Sequence, residues 1–108
     1  MFHYQFNEET TERAIKAFGM KNQLRQLQEE LCEMEIEIHK FFRGRPEHMV
    51  DEIADIFIVF NQVERYLGHE YIQRAIDRKQ KKLKGYLDHR DEREKKCTKK
   101  NTNAATPT

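Results

Sequence analysis

The chain has 108 residues, 36% charged and 37% hydrophobic, with two Pro, four Gly, no Trp and a net charge of +1. That length holds one small domain at most, and a chain rich in Glu, Lys, Arg, Gln and Leu is a chain of helices. No apolar run reaches the roughly 18 residues of a membrane-spanning helix, and the opening residues carry no signal-peptide pattern. A GxxxxGK[ST] phosphate loop, an HExxH zinc motif and paired-cysteine zinc spacings are all missing. Cys32 and Cys97 are therefore expected as free thiols in a reducing cytoplasm, without a membrane partner.

Residues 1–6 form an aromatic lead-in. Asn7 before Glu8 and Glu9 is a helix start, with a capping side chain followed by acids at the positive end of the dipole. This first helix is short: Ala14, Ile15 and Phe18 give it one stripe, and Gly19 ends it. A second helix is predicted over 20–42, where Leu24, Leu27, Leu31, Met34, Ile38 and Phe41 alternate by three and four. Arg43-Gly44-Arg45-Pro46 breaks it. A third helix is predicted over 47–67 on the stripe Met49, Ile53, Ile56, Phe60, Val63 and Leu67. Phe57, Ile58 and Val59 make this helix apolar most of the way round, more than so small a domain covers alone, which predicts a homodimer or homotetramer. Gly68 is the next break. A fourth helix runs from about 70 to the low 90s on Ile72, Ile76, Lys79, Leu83, Tyr86 and Leu87. The expected organisation is a helical domain over 1–90 and a charged, polar tail over 91–108, disordered at its end.

The net charge hides a segregation. The stretch 29–37 is acidic, whereas Arg74, Arg78, Lys79, Lys81, Lys82 and Lys84 make 74–84 basic. The acids are spaced for one face. Glu30 and Glu33 are three apart on the second helix, and Glu52 and Asp55 three apart on the third. Each sits one residue before a stripe position, so two antiparallel helices bring the pairs together beside the core. Asp55 stands inside Ile53-Ala54-Asp55-Ile56-Phe57-Ile58, where an ionised carboxylate is costly to bury without a cation, a proton or a good donor. Four converging carboxylates suit a hard divalent cation such as Mg²⁺. The bland alternative is a solvated helix face with pairs such as Glu37 and Lys40. Lys79, on the core-side stripe, is either a snorkelling lysine or a phosphate contact. Cys32 reads as a small packed residue, and His39 and His48 as surface residues.

The ordered acids EExxE (Glu29, Glu30, Glu33) and ExxD (Glu52, Asp55) resemble the MazG-like family of all-α nucleoside triphosphate pyrophosphohydrolases. Ala17-Phe18-Gly19, Gln26-Leu27-Gln28-Glu29-Glu30-Leu31, Glu52-Ile53-Ala54-Asp55-Ile56 and Lys79-Gln80-Lys81-Lys82-Leu83 extend the likeness over about residues 12–87. The resemblance implies an all-α fold, with a helical hairpin and flanking helices forming a four-helix-bundle-like oligomer. It implies hydrolysis of a nucleoside triphosphate to the monophosphate and pyrophosphate with Mg²⁺, Mn²⁺ serving as a substitute. It makes Glu30, Glu33, Glu52 and Asp55 the metal ligands, Glu30 and Glu33 the candidate bases, and Lys79 and Lys82 the phosphate contacts. Phe57 stands where some relatives carry a further acid, and the Trp residues that line the base pocket in some relatives are absent.

The main rival is a non-catalytic helical dimerisation or regulatory module whose basic last helix touches nucleic acid. It accounts for the charge segregation but not for Asp55, so nucleic acid is not the expected partner. A di-iron bundle is disfavoured, because neither Glu30 nor Glu52 is followed three residues on by His. A phosphoribosyl-ATP pyrophosphohydrolase shares the architecture, and no residue selects that narrower substrate.

Overall fold

The computed structural model describes residues 4–45 and 47–100, with the backbone alone for Lys99 and Lys100. Residues 1–3 of the lead-in, Pro46 of the predicted helix stop and the polar end at 101–108 lie outside the described residues. The described chain is all-α. Its elements are α1 (Glu8–Phe42), α2 (Met49–Leu67) and α3 (His69–Lys100), with no strand among the described residues. The chain divides into two units, Met1–Ile72 and Gln73–Thr108.

The first unit is built on a hairpin of α1 and α2. Asn7 caps α1 as expected, its Oδ1 accepting from the Thr10 N–H at 2.9 Å. The predicted stop at Gly19 appears as a break inside α1, where Gly19 takes φ 75° and ψ 164°. An L-residue side chain is strained in that conformation, so only glycine holds it cheaply. The break frees the segment before Gly19 to pack against the C-terminal half of α2. There the Asn61 amide donates to the Thr11 hydroxyl at 3.3 Å, the Tyr66 hydroxyl donates to the Ile15 carbonyl at 3.1 Å, and Arg65 pairs with Glu8 at 2.6 Å. Tyr4, in the lead-in, stacks at a tilt on Phe57 with ring centroids 5.4 Å apart.

Beyond Gly19, the face that α1 turns to α2 differs from the expected seam. The predicted stripe had Leu24, Leu31, Ile38 and Phe41 inside, but all four are exposed, and only Leu27 and Met34 of that stripe are half-buried. The most buried residues of α1 past the break are Gln23, Glu30 and Glu37, one every seven positions. On α2 the buried residues are Val59, Gln62, Val63 and Glu64. The hairpin therefore closes on a polar row rotated one residue from the leucines. The buried apolar core is small, consisting of Val59 and Val63 among the described residues. Along this row Gln23 faces the Gln62 amide, Glu30 faces Glu52, and Glu37 faces the backbone N–H groups at the start of α2. Cys32, expected to be packed, is likewise exposed.

Glu37 shows how one of these polar groups is held. Its Oε2 accepts from the backbone N–H groups of Glu47 at 3.3 Å and His48 at 3.1 Å, and Lys40 pairs with its Oε1 at 3.3 Å. His48 caps α2 by position without a side-chain bond. Glu37 thus supplies from a different helix the acceptor that α2 lacks at its start. The His48 N–H holds the Glu37 carboxyl below its ordinary value.

α3 begins beyond Gly68, which has φ 97°, so the predicted break holds. The helix continues through the 91–96 charge run to Lys100. In the second unit its described side chains are exposed from Asp77 onward. Within that unit Lys84 pairs with Asp88 at 2.7 Å, and this raises the lysine pKa.

Replacing Gly19 with Ala is expected to destabilise the fold by about 1–3 kcal/mol, although no atom lies within 4 Å of the added Cβ. Chemical denaturation followed by circular dichroism checks this, and an unchanged midpoint and slope would refute the strain at the break.

Candidate metal centre

Three acids of the two short motifs meet where α1 packs on α2. Glu30, Glu33 and Glu52 each place a carboxylate oxygen within 4.8 Å of the other two. Glu30 is buried, Glu52 half-buried and Glu33 exposed, so the trio runs from the hairpin interior to its surface. The three-residue spacing of Glu30 and Glu33 puts both on the α1 face that meets α2, and the antiparallel course of α2 brings Glu52 opposite them.

Electrostatics make this arrangement uneasy when no cation is present. Glu30 Oε1 accepts from the Gln26 amide at 2.7 Å, but Glu30 Oε2 is buried without a hydrogen-bond partner. Glu52 Oε2 is in the same position. Buried carboxylate oxygens without donors are costly, and like charges in contact add to the cost. Burial, then the adjacent Glu33, then Glu30 push the Glu52 pKa up to about 7.

Asp55 stands apart from the other three. It is exposed and lies outside the group whose oxygens fall within 4.8 Å. The expectation that its apolar run buries it is therefore not met, because Ile53, Ala54 and Ile58 beside it are exposed as well. Desolvation and the charges of Glu30 and Asp51 still raise its carboxyl above the ordinary value. Glu29 is exposed. Lys79 and Lys82 lie on α3 in the second unit, both exposed. His39 and His48 are exposed, as the sequence implied.

The trio fits a hard divalent cation on two grounds. Its donors are all carboxylate oxygens, and two of those oxygens are buried with no protein donor to satisfy them. Sequence reasoning missed Gln26 as the residue that orients Glu30, whereas the Glu37–Lys40 pair it offered is present, with Glu37 in the same buried row as Glu30. The visible signal was the seven-residue recurrence of polar side chains at 23, 30 and 37. Comparison with protein-family models, with curated proteins and with solved structures gave no match for this chain.

A carboxyl whose pKa is raised on folding favours the folded state at low pH. That advantage fades as pH climbs from the ordinary 4.5 of Glu52 through about 7. The metal-free protein should therefore lose thermal stability across that window, with Asp55 acting in the same direction. Glu52→Gln should flatten the profile, and added Mg²⁺ should restore the Tm of the wild type at pH 8. A scanning-calorimetry series with chelator checks this, and a Tm that rises through the window would refute the strained trio.

Proposed function

We propose that the chain is a Mg²⁺-dependent nucleoside triphosphate pyrophosphohydrolase of the MazG-like type, hydrolysing a (d)NTP to the monophosphate and pyrophosphate. Its main support is the trio Glu30, Glu33 and Glu52, with a buried, donorless oxygen on both Glu30 and Glu52. A solvated helix face has no reason to bury acids in this way. The order of the acids along EExxE and ExxD agrees with the same reading.

Glu30 and Glu52 would hold the cation through those donorless oxygens, Glu30 being oriented by Gln26. When bound, Mg²⁺ would offset the repulsion between an acidic site and a polyanionic substrate and lower the pKa of a water it carries. Glu33, the exposed member, has the freedom to accept a proton from the water that attacks the α-phosphorus as pyrophosphate departs. Asp55, one turn along α2 from Glu52, extends the acidic face towards solvent. Lys79 and Lys82 carry the charge suited to the departing pyrophosphate.

A second copy of the chain is the partner that fits the open apolar surface. Leu24, Leu31 and Ile38 recur every seven residues along α1 and are exposed, as are Val50, Ile53 and Ile58 on α2. This supports a homodimer or homotetramer of bundle type. The alternative module, with a basic helix on nucleic acid, gives no role to the buried oxygens of Glu30 and Glu52.

With Mg²⁺, the purified protein should release pyrophosphate from at least one nucleotide in a panel of standard and damaged (d)NTPs. Mn²⁺ should sustain part of that activity. Glu33→Gln is expected to lower kcat about 100-fold or more while leaving the helix content intact. Asp55→Ala should also impair turnover. Silence across the whole panel would remove the enzymatic reading. Full activity in Glu33→Gln would remove the assignment of Glu33 as the base.

A further inference from the structure

Beside the acidic trio, the hairpin encloses a cavity of about 300 Å³ whose lining includes Phe18, Gln23, Gln26, Val59 and Gln62. No titratable side chain lines it. Its walls offer aromatic and aliphatic surface together with neutral amides, which suits an uncharged, planar, hydrogen-bonding ligand and disfavours a charged one. Three-tenths of a cubic nanometre lies at the small end of ligand pockets, room for a single heterocycle.

The amides are already partly committed. Gln23 Nε2 donates to Gln62 Oε1 at 2.7 Å across the hairpin. Gln23 is 2% exposed, and its Oε1 is buried with no hydrogen-bond partner. A buried acceptor of this kind is costly until a donor reaches it. The bond also commits the Gln62 carbonyl, leaving that side chain its amide nitrogen to offer. The pair thus has a spare acceptor in Gln23 Oε1 and N–H donors on Gln62 still to offer. Phe18, 59% exposed, supplies a ring face for stacking at the same cavity.

The cavity is joined to the acids through one side chain. Gln26 lines it and also donates to Glu30 at 2.7 Å. Gln23 and Glu30 are seven residues apart on α1, about 10 Å along the axis. A ligand with its ring at Gln23 and its polyphosphate at Glu30 spans that separation through a sugar.

We infer that this cavity holds the heterocyclic base of the nucleotide, with the Gln23–Gln62 amide pair reading an N–H donor and an adjacent acceptor on the edge of the base. This assignment rests on the nucleotide reading above for its ligand class. Its evidence is separate, because neither the cavity nor the unpaired carbonyl of Gln23 involves the acids.

The test uses the full chain, ¹⁵N-labelled and free of metal, titrated with uridine, cytidine, adenosine and guanosine. Nucleosides lack phosphate, so binding reports on the cavity alone. Each is paired with a counterpart whose edge N–H is methylated. At least one nucleoside should shift the side-chain amide signals of both Gln23 and Gln62, and its methylated counterpart should bind about tenfold more weakly or worse. Gln23→Leu, similar in size but without the amide, should bind the two forms equally. Phe18→Ala should weaken both forms together and keep the preference between them. The inference is overturned if no nucleoside moves those two amides, or if methylation of the base edge leaves wild-type affinity unchanged. Pyrophosphate release without nucleoside binding would sink the base site and leave the enzyme reading standing. Selective nucleoside binding with no release from any triphosphate would do the reverse.

Discussion

The hairpin depends on the burial of polar side chains that must be answered from across a helix interface. Gln23, Glu30 and Glu37 follow one another at seven-residue intervals down α1, and each is met by a different chemistry on α2. Gln23 meets an amide, Glu30 meets another carboxylate, and Glu37 meets the bare N–H groups at the start of the helix. Two of these contacts are complementary and hold the helices in register. The middle one is not complementary, because Glu30 and Glu52 are of the same sign. An interface that spends its central position on like charges has given up stability there, and such places are where function is found.

The apolar surface is organised around that choice. With polar groups inside, the hairpin buries only Val59 and Val63 among its described apolar residues, while Leu24, Leu31 and Ile38 stay open. A chain of this size has little surface to spare for a large interior. The polar row sets the register of α1 on α2, and the leucine row beside it stays exposed. The two rows are neighbours on one helix, so a polar seam runs next to an open apolar one.

Much of this was legible in the sequence. The Asn7 cap and the breaks at Gly19 and Gly68 follow from local backbone chemistry, and each falls where expected. The three-residue spacing of Glu30 and Glu33 was enough to put both on one face, with Glu52 across from them. The phase of the helix was not legible. A stripe of leucines fixes a period, but rotation by one residue swaps Leu31 for Glu30 and Ile38 for Glu37 at the interface. Hydropathy favours the first choice, and only the partners across the hairpin decide for the second. The same blindness affected Asp55, whose apolar run promised an interior position although Ile53, Ala54 and Ile58 in it face solvent themselves. It also hid the Gln23–Gln62 pair, since two neutral amides 39 residues apart leave no mark in charge or hydropathy patterns.

The tether at Glu37 has an implication for how the connecting loop can vary. The carboxylate grips main-chain N–H groups at positions 47 and 48, and every residue except proline offers one. The start of α2 is thus anchored from ten residues upstream. The side chains of Glu47 and His48, both solvent-facing, are free to drift or to be redesigned as a display site, so long as the anchoring acid on α1 is kept.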